Sequence, residues 1–190
     1  MRTALIILDI QKDHFPGGRL PLVNPVEAAK KAHMLLQCFR EHGGHHVHIQ
    51  HISKQADATY FISGDRGTDI HDSVAHFEGE PIVYKHTPNA FLNTNLLDLL
   101  KGWGVERVVI SGMMTHQDVD ATAGAPSDLG FQVLVAEDAC ATRDLVYGGT
   151  SIPADHVHKA ALAALKPYGR VMKSEEILAL LAAEQQSVGK

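Results

Sequence analysis

At 190 residues the chain is long enough for one domain with a full core and not comfortably two. A formal net charge of -5, with no basic run, weighs against a nucleic-acid partner, and no segment is long and apolar enough to span a membrane. Cys38 and Cys140 form neither a CxxC motif nor a disulfide framework, and Asp9 interrupts the N-terminal apolar run too early for a signal peptide, so a cytoplasmic protein is expected.

Thr3 to Leu8 is a continuous apolar run, the pattern of a strand buried on both faces, and Asp9 ends it. Phe15-Pro16-Gly17-Gly18 is loop chemistry. Asn24-Pro25 predicts a helix start, with Asn24 as N-cap and Pro25 at the first helical position. Apolar residues at helical spacing carry that helix to about His42, where Gly43-Gly44 stops it. His45 to His51 alternates and reads as a second strand. Ser53 to Glu80 is a long polar stretch, which in a compact domain implies a lid or part of a site.

A short third strand is predicted over Pro81–Lys85, a helix over Asn95–Gly102 and a fourth strand over Arg107–Ser111. A helix is expected from about Asp118 to Leu129. Gly124 and Pro126 fall inside it, at costs of about 1 and about 3 kcal/mol relative to alanine, so a kink or break is open. Phe131–Ala136 reads as the fifth strand. A loop with Gly148-Gly149 and Pro153 follows, then a helix over Ala154–Leu165 and a short sixth strand over Arg170–Met172. A last amphipathic helix, capped by Ser174, runs through Ala183. The alternation predicts a doubly wound, mainly parallel, six-stranded α/β sheet with helices on both faces, in one domain spanning residues 1–190.

In such a sheet ligands gather beyond the carboxyl ends of the strands. Asp9 ends strand one, Lys85 ends strand three and Asp118 follows strand four. A lysine beside carboxylates keeps both ionised and can stabilise developing negative charge. Backbone N–H groups at the turn into the following helix could form an oxyanion hole. There is no GxGxxG after strand one and no P-loop, so no organic cofactor is expected.

LDIQKDHF, YKHTPNAF, SGMMTHQDVDATA and AEDACATRD together resemble the isochorismatase-like cysteine hydrolases, over about Thr3 to Met172. The resemblance implies the same doubly wound fold and a small-molecule substrate, with homo-oligomers common. It implies an Asp–Lys–Cys triad in which Asp9 and Lys85 take the first two places. Position 118, where the family's nucleophilic cysteine falls, carries Asp. It further implies a cis peptide before the motif's threonine, at Met114–Thr115, with the Met114 and residue-118 amides as oxyanion hole.

Three readings follow. Asp118 activates water for hydrolysis of an amide-type C–N bond, with Asp9 as general acid. Alternatively, Asp9 and Lys85 act as in the vinyl-ether-cleaving isochorismatases. Or the site is silent and the fold serves binding or assembly. Gln11, Phe15, His116 and Gln117 are candidate substrate contacts. Tyr60, Phe61 and Phe91 are candidate apolar walls. The 13 histidines raise a metal alternative: His46 and His48 share one strand face. Relatives that bind a metal use a D-x-H motif after strand two, where this chain has Ser53-Lys54-Gln55, so no catalytic metal is expected.

Overall fold

The computed structural model describes residues 1–188. Six parallel strands form one sheet: β1 (Thr3–Leu8), β2 (His45–His51), β3 (Ile82–Lys85), β4 (Arg107–Met113), β5 (Gln132–Ala141) and β8 (Arg170–Met172), in the order β3-β2-β1-β4-β5-β8. The chain winds outward from β1 to β3, then returns to build the other half from β4. The switch therefore falls between β1 and β4, the place beyond whose strand ends ligands gather in open α/β sheets.

The uninterrupted TALIIL run is explained by the layers. Leu5 and Ile7 point into one core with α1 (Pro25–Glu41) and α5 (Ser174–Val188). Ala4, Ile6 and Leu8 point into the other, with α2 (Leu96–Gly102), α3 (Asp120–Asp128) and α4 (Ala154–Leu165). Successive side chains on a strand face opposite ways, so a strand covered on both sides has no polar face to spend. Gly112 is required where β4 runs against β1: its φ is +140°, and a Cβ there would lie 2.0 Å from the Leu8 carbonyl oxygen.

Several local expectations change. Asn24 precedes α1 but adopts a left-handed backbone (φ 54°) and makes no side-chain cap bond. Ser174 is the first residue of α5 rather than the residue before it, and its hydroxyl donates to Asp138 Oδ1 at 2.7 Å. Asp138 lies in β5, which runs five residues past its expected end. The β4–β5 register shifts between Ile110 and Gly112, and the extra β5 residues bulge there. The expected loop at Gly148-Gly149 is a hairpin, β6 (Leu145–Tyr147) against β7 (Thr150–Ile152). Both glycines have positive φ, 57° and 78°, as a tight two-residue hairpin loop demands. Helix α3 opens at Asp120, after a wider π-helical turn over Thr115–Val119, and continues through Pro126. Among the described residues no helix is long and apolar enough to cross a membrane.

Candidate active site

Asp9, Lys85 and Asp118 come from three separate strand ends and meet. Lys85 Nζ lies 2.7 Å from Asp9 Oδ2 and 2.6 Å from Asp118 Oδ1. Asp9 and Lys85 are wholly buried and Asp118 is 3% exposed. Asp9 has φ +49°, a conformation uncommon for a residue with a side chain but tolerated by aspartate. The ammonium also faces the Thr87 and Pro88 carbonyls at 3.0 and 3.1 Å and His51 Nδ1 at 3.2 Å.

The two carboxyl groups differ in what surrounds them. Neither Asp9 oxygen has a partner in hydrogen-bonding geometry; its tie to Lys85 is an unaligned ion contact. Burial drives the Asp9 pKa well above the ordinary aspartate value, Asp118 adds to the rise, and Lys85 only partly opposes it. Burial pushes Asp118 the same way, but His51 and Lys85 overcome it and hold its pKa at about 2. Burial would also lower the Lys85 pKa; the two carboxylates reverse that and raise it. The pKa values of the two carboxyl groups are thus pushed apart, Asp9 upwards and Asp118 downwards, with an ammonium between them. Two like groups pushed apart in pKa is the arrangement of an acid–base pair.

The expected oxyanion hole is occupied from within. The Met114 N–H donates to Asp118 Oδ2 at 3.2 Å, and the Asp118 N–H donates to the Met114 carbonyl at 3.0 Å. The cis peptide lies one residue earlier than expected, at Met113–Met114. Thr115 therefore does not follow the cis bond directly; its hydroxyl meets His158 Nδ1 at 2.9 Å.

The expected substrate contacts fare unevenly. Gln11 is committed to backbone: it donates to the His51 and Thr68 carbonyls at 2.9 and 2.7 Å and accepts from the His51 N–H at 2.8 Å. It therefore positions the end of β2 rather than touching substrate. Phe15 is in the core, stacked on His71 with ring centroids 3.6 Å apart. His116 is half-buried in the π-helical turn, its Nδ1 bonded to the Thr142 hydroxyl. Gln117 is half-buried beside it. Of the aromatic candidates, Phe61 is buried with its ring centroid 5.5 Å from that of His51.

His51 and His14 complete the surroundings and were not foreseen as site residues. His51 pairs in register with Lys85 across β2 and β3, so its place follows from the strand alignment. His14 is buried, with Nδ1 3.2 Å from the Leu20 carbonyl and Nε2 without a partner. Burial lowers its pKa to about 4, against a raising influence of Asp118. Asp9, His51 and Asp118 lie close enough together to ligate a metal, but the Lys85 ammonium already sits against both carboxylates, so the site does not fit one. Cys140 is no substitute nucleophile: burial pushes its thiol pKa up to about 12. Cys38 lies on α1, away from these strand ends.

The isochorismatase domain model matches residues 3–176. The chain belongs to the isochorismatase family. An uncharacterized isochorismatase family protein of Bacillus subtilis, YddQ, is 42% identical over 176 residues, spanning 93% of this chain and 98% of that protein. The secreted isochorismatase effector Isc1 of Verticillium dahliae is 32% identical, spanning 92% and 90%. The crystal structure of an isochorismatase hydrolase from Oleispira antarctica superposes with a TM-score of 0.90 at 41% identity, covering 94% of this chain and 96% of the other. The fold and the family hydrolase assignment rest on these likenesses together.

Proposed function

We propose that the chain hydrolyses a small molecule by acid–base chemistry, with Asp9 as proton donor, Asp118 as the carboxylate that receives a proton from water, and Lys85 holding the two apart. The observation that carries this is the allocation of hydrogen-bond donors. The Met114 and Asp118 amides are both engaged with the Met114–Asp118 turn, and the Lys85 ammonium is surrounded by acceptors. Cleavage of an amide builds an oxyanion, which needs free donors. Cleavage of a vinyl ether builds an oxocarbenium cation, which an adjacent carboxylate stabilises as in glycoside hydrolysis.

A vinyl ether therefore suits the site best. The Asp9 carboxyl gives its proton to the terminal vinyl carbon. Water adds to the resulting cation and loses a proton to Asp118. The hemiketal then collapses to a ketone and an alcohol, and the proton passes back to Asp9. The second reading is an amide-type C–N bond, supported by Asp118 standing in the nucleophile's place as an ionised base opposite an acid. It requires the Met114 N–H to leave Asp118 and turn to the substrate.

The test is a hydrolysis panel of isochorismate, small amides and ureides, run with this chain, Asp118→Cys and Asp9→Asn. Turnover of the vinyl ether by this chain, lost in Asp9→Asn, supports the first reading. Amide turnover by this chain that disappears in Asp118→Cys supports the second. Amide turnover by Asp118→Cys alone overturns both and makes Asp118 a disabling residue on a cysteine-hydrolase scaffold.

A further inference from the structure

A second buried polar cluster sits at the other end of β2. His46 and His48 are two residues apart and project from one face of the strand. Glu80, in the turn before β3, reaches both: Oε1 is 2.9 Å from His46 Nε2 and Oε2 is 3.4 Å from His48 Nε2. The three ligand atoms lie within 4.8 Å of one another. His48 is 1% exposed, and neither of its ring nitrogens has a hydrogen-bond partner. His46 Nδ1 lies 3.2 Å from the Gly44 carbonyl, a contact that places the ring proton on Nδ1. Its Nε2, the ring nitrogen nearer Glu80, has no hydrogen-bond partner. Buried imidazole nitrogens without a partner are open to a cation.

We propose that His46, His48 and Glu80 bind a divalent transition-metal ion of the Zn²⁺ class. Two imidazoles and one carboxylate are a common zinc donor set, leaving a further position open. Tetrahedral bonds of about 2.0–2.1 Å place ligand atoms roughly 3.3 Å apart, which falls between the contacts present here. The exposed His76 ring stands at the edge of the cluster, edge-on to His48 with ring centroids 6.2 Å apart. The carboxylate is already oriented: Arg40 Nε and Nη2 donate to Oε1 and Oε2 at 2.7 and 2.6 Å, and the Phe77 N–H donates to Oε2 at 2.8 Å. Ligating carboxylates are ordinarily held by such outer bonds. Arg40 also places a positive charge beside the site. Oxygen-seeking Ca²⁺ or Mg²⁺, bound by charge alone, is disfavoured there; ions that gain from imidazole nitrogen are selected. The site ties the segment before β3 to β2, remote from the acid pair at the strands' carboxyl ends.

The full chain, stripped with a chelator, is titrated calorimetrically with Zn²⁺ alone, and with Co²⁺ while its visible absorption is followed. One equivalent should bind, raising the melting temperature and giving the absorption of nitrogen- and oxygen-ligated cobalt. His48→Phe and His46→Gln should abolish all three effects. His46 is on the rim of the cluster, so His46→Gln keeps the test available where His48→Phe fails to fold. Absence of binding, or binding that survives in His46→Gln, overturns the proposal. The first result would leave a proton between His46 and Glu80 in the metal's place, and the second would assign the ion to other histidines.

Discussion

At its carboxyl end β2 delivers His51 to an ammonium flanked by two carboxyl groups; near its start it delivers His46 and His48 to a carboxylate flanked by a guanidinium. Both clusters are buried, and both leave polar atoms unpaired, but the atoms differ. In the first the unpaired atoms are the Asp9 oxygens, beside a lysine whose charge is already matched by Asp118. In the second they are imidazole nitrogens facing a carboxylate that Arg40 has oriented. Burial without a partner pushes a carboxyl group towards its protonated form, whereas a buried imidazole nitrogen without a partner is open to a cation. On the two proposals the same strand serves chemistry at one end and ligation at the other, with the difference set by which residue the neighbouring loop brings in.

The comparison is broken most directly by removing the acid. Asp9→Asn keeps the shape and loses the transferable proton, so kcat on any substrate the chain turns over should fall about a thousand-fold, within the usual range for general acid–base catalysis. A loss below tenfold, with the fold intact, would remove Asp9 from the proton-donor role. Lys85→Met should be the most damaging change to stability. It leaves the Asp118 charge buried without its counter-ion, at about 3–5 kcal/mol by urea unfolding. Adding Asp118→Asn should recover part of that loss, since the orphaned charge then disappears.

Acid should act on the first region through His14. Its pKa falls from 6.5 in the free side chain to about 4 in the fold, so on acidification the unfolded chain takes up the proton first. Its contribution to stability is intact above pH 6.5, declines as pH falls towards 4 and is level below that, a loss on the order of 3 kcal/mol. His14→Phe should remove this component from the pH dependence of urea midpoints, and an unchanged slope would contradict it. In the second region Glu80→Gln, measured without metal, should cost about 2 kcal/mol by weakening charged hydrogen bonds to Arg40. A cost equal to that of Lys85→Met would erase the distinction between the clusters. The smallest effect is a gain. A Cβ at Gly124 meets only Tyr168, at an ordinary 3.8 Å, so Gly124→Ala should add about 1 kcal/mol of helix stability.

The strand-end placement of Asp9, Lys85 and Asp118 was legible because a parallel sheet leaves little freedom: apolar runs end in polar residues, and the ends converge. His51 was legible in principle, once β2 and β3 are set in register. What could not be read was how groups use one another. Gln11 looks like a substrate contact until its three bonds to backbone are seen, and the Met114 amide looks like an oxyanion donor until Asp118 takes it. Such bonds depend on side-chain direction, which spacing along the chain does not encode. The β6–β7 hairpin was hidden for another reason. Its strands are three residues each, too short for an alternation to show, although the Gly148-Gly149 pair carried the turn signal.

Gly112 bears on how this site can change over time. A side chain there would strike the β1 backbone just before Asp9, so a saturation library at position 112 should return glycine and little else. Six residues on, position 118 is bounded by a lysine side chain and an amide that can turn to other partners. The rigid point lies near the end of β4 and the exchangeable one in the turn that follows it. A lineage can therefore trade one reacting group for another there while the frame that aims it stays as it is.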